Sequence, residues 1–93
     1  MMRLTMNLKA ISTLIKMWIE KNNKLVRTFE FRDFQEAFGF MTRVAFIAEK
    51  IDHHPTWSNT YNSVHIELST HSADNTITEK DRELAKKIDQ IWI

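Results

Sequence analysis

The stretch from Asp33 to Pro55 leaves this chain the fewest choices. Asp33 followed by Glu36 has the spacing of a capping box, so a helix should start there. Pro55 forbids continuation and pushes His54 towards extended backbone, so the helix must end around Ile51 to His53. Between these limits Phe34, Ala37, Phe38, Met41, Val44, Ala45, Ala48 and Ile51 form a regular stripe at helical spacing. The expected helix over 34–51 is about 28 Å long at about 1.5 Å per residue. Phe40, Phe46 and Ile47 lie off the stripe, which makes the apolar surface wider than one sheet-facing side requires. Gly39, the only glycine, sits inside this helix and costs about 1 kcal/mol against alanine there. It is either a tolerated glycine in a buried helix or the place where another helix, from this chain or a second copy, comes close. With the surplus aromatics it favours association of copies through this helix.

The segments on either side alternate rather than repeat every three or four residues. Trp18–Lys21 and Lys24–Arg32 read as strands, with Asn22 and Asn23 between them as a tight hairpin turn, because asparagine tolerates positive φ. In the second strand Leu25, Arg27, Phe29 and Phe31 share a face. After Pro55, 56–62 and 63–70 read as two more strands, with Val64, Ile66 and Leu68 opposite His65, Glu67 and Ser69. A loop over 72–75 leads to Thr78 and Asp81, a second capping-type start, and a last helix with Leu84, Ala85, Ile88 and Ile91 inward. Leu8, Ile11, Leu14 and Ile15 suggest a short first helix over about 4–17. Short links between strands demand antiparallel pairing. The expectation is an α+β domain over 1–93, a four-stranded antiparallel sheet with about three helices packed on one face.

A chain of 93 residues has room for one core, and 43% hydrophobic with 27% charged residues is ordinary for a globular protein. Thirteen basic and twelve acidic side chains give a net charge of +1, which offers no reason to propose nucleic acid or an anionic membrane as partner. The absence of cysteine excludes disulfides, thiolate metal sites and a cysteine nucleophile. Lys9 and Lys16 interrupt the first apolar run, and no stretch reaches about 18 apolar residues, so neither a signal peptide nor a membrane span is expected. The chain reads as soluble and cytoplasmic.

All four histidines lie between positions 53 and 71 together with the only proline, and His53, His54 and His71 are the candidate set. Imidazole both gives and takes protons near neutrality. Three histidines could also ligate zinc, but adjacent ones at a helix end diverge, and there is no His-x-x-x-His spacing. Spacing therefore argues against a metal. Two uses stay open: capping carbonyls at the helix end, and metal-free acid–base catalysis with Asp52 or Asp81 orienting an imidazole. Spacing alone leans to the first. Asp81 is accounted for as a cap residue, His65 as a solvated or interface residue, and Trp57 and Tyr61 by packing or by stacking on a flat heterocycle.

Phe29-Glu30-Phe31-Arg32-Asp33-Phe34, Ala37-Phe38-Gly39-Phe40-Met41-Thr42-Arg43-Val44-Ala45, Ala48-Glu49-Lys50, Asp52-His53-His54-Pro55-x-Trp57, Tyr61-Asn62-x-Val64-His65-Ile66 and Leu68-Ser69-Thr70-His71 resemble the pterin-4a-carbinolamine dehydratases, in order, from Trp18 to the end. The resemblance implies dehydration of a 4a-hydroxytetrahydropterin to quinonoid dihydropterin without metal or organic cofactor, in tetrahydrobiopterin recycling. It implies assembly as a homodimer or homotetramer, here expected through the 33–51 helix and sheet edges. It assigns the active site to His53, His54 and His71, with Asp81 as acidic partner and Pro55 and Trp57 shaping the pterin pocket. His54 is the expected principal proton-transfer group. Family members also act as dimerisation cofactors for a transcription factor, so a protein-interaction module is the alternative. The chain departs from the family at Leu4-Thr5-Met6-Asn7-Leu8-Lys9, where an acidic helix start is usual.

Overall fold

Two short hairpins and two helices make up the computed structural model, which describes residues 17–92. The chain runs through strand β1 (Ile19–Lys21), strand β2 (Lys24–Glu30), helix α1 (Phe34–Ile51), strand β3 (Thr56–Thr60), strand β4 (Ser63–Leu68), a 3₁₀ turn (His71–Ala73) and helix α2 (Glu79–Ile91). The strands pair antiparallel in the order β1-β2-β4-β3. The α+β class and the four-stranded antiparallel sheet are as the sequence suggests. Two α-helices are present among the described residues; the expected first helix over about 4–17 lies outside them.

Local chemistry explains each corner. Asn22 and Asn23 both take positive φ, 52° and 61°, and join Lys21 to its pair Lys24, as a two-residue hairpin of primed type requires. Tyr61 and Asn62 join Thr60 to Ser63, and there the Asn62 amide donates to the Phe31 carbonyl at 2.8 Å. That bond ties the tip of the second hairpin to the end of β2.

The two helices lie on one face of the sheet. Leu25 and Phe29 of β2 and Val64, Ile66 and Leu68 of β4 meet Ala37, Phe40 and Val44 of α1 and Leu84, Ala85 and Ile88 of α2. Arg27 points to this side as well, its side chain only 5% exposed, and binds Asp89 of α2 at 2.8 Å. Trp18 donates to the same carboxylate at 2.8 Å. Two donors on one acceptor fix α2 across the sheet, and with it the register of its first turn.

The bounds of α1 match the expectation; its buried face does not. Phe34 and Phe38 are exposed, as is Ala45, whereas Phe40 is fully buried and Ile47 packs on the core. The inward stripe is therefore Ala37, Phe40, Met41, Val44, Ile47, Ala48 and Ile51. Phe40 is drawn in because its ring lies 4.8 Å from that of Phe29, 4.9 Å from Phe31 and 6.0 Å from Trp92, an aromatic cluster with more to offer than an isolated ring. At Gly39 an added Cβ would meet only the Arg43 guanidinium within 4 Å, at 3.8 Å. No element of the described chain crosses there.

Candidate active site

The site is made where α1 stops. Asp52 adopts the left-handed conformation, φ 55° and ψ 46°. Its N–H bonds to the Glu49 carbonyl at 3.2 Å, and the N–H of His53 bonds to the Ala48 carbonyl at 3.0 Å. This is a Schellman ending, which satisfies the last carbonyls and turns the chain sharply away. The stop falls at Asp52, ahead of Pro55, and the proline bars any continuation. Backbone groups do the capping, so the imidazoles are free for other partners.

Those partners differ. His53 reaches back to α2, its Nε2 lying 2.6 Å from Oδ1 of Asp81. His54 turns the other way, its Nε2 lying 2.9 Å from Oε1 of Glu49. An ionised carboxylate only accepts, so each Nε2 donates, and each neutral ring would carry its lone pair on Nδ1. The His53 side chain is 11% exposed; that of His54 is 57% exposed.

Asp81 is the buried hub. It caps its own helix by accepting the Thr78 N–H at Oδ2, 2.9 Å, and the same oxygen accepts the Thr70 hydroxyl at 2.7 Å. Thr70 spends its one proton on that bond, so Thr78 must donate in the 2.7 Å contact between the two hydroxyls. Burial pushes the Asp81 carboxyl up, but the bonds from His53, Thr78 and Thr70 outweigh it and hold the group below its ordinary 3.8. A carboxylate kept ionised without water is a strong fixed acceptor for an imidazolium. Capping box and imidazole anchor are the same side chain.

His53, His54 and Pro55 line a polar cleft of about 390 Å³ together with Ser69, His71 and Lys80. His71 opens the 3₁₀ turn and is exposed. Of the residues expected from the sequence, His53, His54, His71 and Asp81 are thus brought together, with Pro55 at the rim. Trp57 is not in this cleft; it lines a neighbouring apolar groove that shares His54 and Pro55. His65 lies elsewhere, on the open sheet face, where it contacts Thr28 at 2.8 Å and Glu67 at 3.1 Å. Among the described residues no group of three or more His, Cys, Asp or Glu could hold a metal ion, and no helix is long and apolar enough to cross a membrane.

Glu49, Thr70 and Lys80 are among the site residues that carry no assigned role from sequence alone. Glu49 precedes His54 by five residues, too far for a helical pair, and meets it only because the chain reverses at Asp52. Thr70 continues the strand parity of Val64, Ile66 and Leu68, so alternation marks it as an inward position. An inward hydroxyl needs a partner, and Asp81 eleven residues on is the carboxylate the fold supplies. Lys80 sits beside Asp81 in the capping sequence and gave no further signal.

A family model described as pterin 4 alpha carbinolamine dehydratase matches residues 4–91. A protein of Bradyrhizobium sp. (strain ORS 278) named pterin-4-alpha-carbinolamine dehydratase is 55% identical over 76 residues, which cover 80% of this chain and 75% of that one. One of the same name from Afipia carboxidovorans is 60% identical over 65 residues, 70% of this chain and 64% of that relative, just under two thirds of its length. Among solved structures, a transcriptional coactivator/pterin dehydratase from Brucella melitensis superimposes with a TM-score of 0.79 at 38% identity, covering 95% of this chain and 98% of the other. A pterin dehydratase-like protein identified as a RuBisCO assembly factor in the α-carboxysome, 22% identical with a TM-score of 0.68 over 80% and 87% of the two chains, shares the fold.

Proposed function

We propose that this chain, which belongs to the pterin-4α-carbinolamine dehydratase family, dehydrates a 4a-hydroxytetrahydropterin to quinonoid dihydropterin and water, as a step in tetrahydrobiopterin recycling. The observation that carries this reading is the His53–Asp81 bond of 2.6 Å on the wall of a cleft that also holds His54 and His71. Loss of the C4a hydroxyl needs a proton for the departing oxygen and a base for a ring N–H. Both protons stay in the balance: one leaves the ring, one leaves with water. The carbinolamine is already prone to eliminate, so a few kcal/mol of barrier lowering suffices, within reach of imidazoles acting near neutrality.

The roles divide by surroundings. His53, gripped by a buried carboxylate, keeps one orientation; it binds substrate and shares the complementary transfer with His71. His54 is exposed and its Glu49 contact is readily exchanged, so it can present its ring to substrate and return, the behaviour expected of the principal proton-transfer group. Pro55 shapes the rim and Trp57 the adjoining groove. Copies of the chain associate through the outer side of α1, where Phe34 and Phe38 are 48% and 56% exposed with their rings 5.7 Å apart; sedimentation of the wild type against Phe38→Glu reads this directly.

A non-catalytic interaction module is the second reading, suggested by the coactivator half of the Brucella description. A scaffold has no use for a buried carboxylate aimed at an imidazole in a cleft. The deciding assay follows decay of chemically prepared 4a-hydroxytetrahydropterin. The dehydratase reading expects the chain to accelerate it; decay at the buffer rate would leave the scaffold reading.

A further inference from the structure

The face of the sheet turned away from the helices carries a second polar cluster, outside the cleft. Thr28 of β2 and His65 of β4 are register partners, and the Thr28 hydroxyl lies 2.8 Å from Nδ1 of His65. The other ring nitrogen, Nε2, lies 3.1 Å from Oε2 of Glu67. Oε1 of the same carboxylate accepts from the Lys24 ammonium at 3.2 Å. The bonds from His65 and Lys24 outweigh burial and hold the Glu67 carboxyl below its ordinary 4.5. An ionised carboxylate only accepts, so Nε2 carries the ring proton and Nδ1 the lone pair. Thr28 therefore donates to His65. A hydroxyl, an imidazole that receives its proton and a carboxylate that fixes the tautomer form the series that activates an oxygen nucleophile. Thr28 is exposed, so a reagent can reach it. His65 and Glu67 also line a cavity of about 200 Å³ with Lys21, Asn22, Lys24 and Val26. Two lysines against one glutamate give that cavity a net attraction for an anion.

We propose that Thr28 is an acyl-acceptor site, modified by a small acyl phosphate whose phosphate is held at Lys21 and Lys24. Oγ1 of Thr28 attacks the acyl carbonyl carbon and forms an ester bond, while its proton passes to Nδ1 of His65. The bond from that carbon to the phosphate oxygen breaks, and inorganic phosphate leaves with the electron pair. The imidazolium then gives its proton to the departing phosphate. Nothing is oxidised or reduced. Glu67 stabilises the imidazolium while it exists. Lys24 does not compete as nucleophile, because it is held as an ammonium on Glu67 and has no lone pair to attack with. β4 lies between β2 and β3, so its backbone donors belong to two ladders and build no oxyanion hole to speed hydrolysis. The ester should therefore persist as a modification instead of turning over.

The test incubates the full chain with acetyl phosphate at neutral pH and locates the acetyl group by peptide mass spectrometry. A single acetyl group on Thr28, formed ahead of any on lysine, is the expected result. Thr28→Ser should keep the label and Thr28→Val should lose it. His65→Gln should slow labelling about 10²-fold. Lys21→Gln should slow it about threefold with acetyl phosphate and leave the uncharged donor p-nitrophenyl acetate unaffected. All these side chains lie on the open face, so circular dichroism should show each variant folded. An unlabelled wild type overturns the proposal, as do acetyl groups confined to lysines. Labelling of Thr28 at an equal rate in His65→Gln overturns the activation by His65. Equal slowing of both donors in Lys21→Gln overturns the phosphate contact.

Discussion

His53 and His54 are neighbours in the chain at one helix end, yet the fold gives them opposite surroundings. One is nearly enclosed and held by a carboxylate with no exposure at all; the other stands in solvent with a partner that is itself 81% exposed. The Schellman turn at Asp52 makes the difference, because it sends one imidazole towards α2 and the other back along α1. An exposed ion pair is worth little and exchanges freely, whereas a buried one is held by everything around it. A single dipeptide therefore supplies one fixed imidazole and one movable one.

The contrast breaks hardest at Asp81. Asp81→Asn removes the anchor of His53 and weakens the α2 capping box, and should cost about 2–4 kcal/mol in urea unfolding at neutral pH. The sign with pH follows from the carboxyl being held below 3.8: its stabilisation is complete above that value and disappears as pH falls through the lower folded-state value. The wild type should lose stability across that acid window more steeply than Asp81→Asn. Equal slopes would mean that Asp81 is not the buried carboxylate the contrast requires.

Thr70→Val comes next. It keeps the shape but deletes the hydroxyl that donates to Asp81 at 2.7 Å, for about 1–2 kcal/mol. Because it loosens the acceptor of His53, the pH–rate profile should move as well. A destabilised variant with an unmoved profile would make Thr70 a packing residue only. Glu49→Gln should have the smallest effect, with no measurable change in the unfolding midpoint. If it destabilised as much as Thr70→Val, His54 would not be the loosely held member of the pair.

How much of this is legible in the chain depends on where the information lies. The limits of α1 are local, written in Asp33, Glu36 and the approach to Pro55. The first hairpin turn is legible in Asn22-Asn23; the second is not, because Tyr61 and Asn62, expected to extend a strand over 56–62, instead form the turn that pairs Thr60 with Ser63. The face of α1 is not local: with Phe34, Phe38, Phe40 and Phe46 all in one helix, periodicity allows more than one stripe. Phe29, Phe31 and Trp92, distant in sequence, settle the choice by gathering around Phe40. The site divides the same way. His53 and Asp81, 28 residues apart, were readable as candidates because their chemistry is conspicuous. Glu49 and Thr70 were not, since an exposed helix glutamate and a strand threonine look like any other until the Asp52 turn and the α2 docking bring them into reach. Resemblance assigns Trp57 to the pterin pocket; in the fold it lines the apolar groove that shares His54 and Pro55 with the cleft.

The most direct measurement is the decay of 4a-hydroxytetrahydropterin with wild type, His53→Ala and His54→Ala side by side. The account predicts acceleration by the wild type, a fall on the order of 10²-fold in His54→Ala, and a smaller loss in His53→Ala. Full activity in His54→Ala with none in His53→Ala would contradict it.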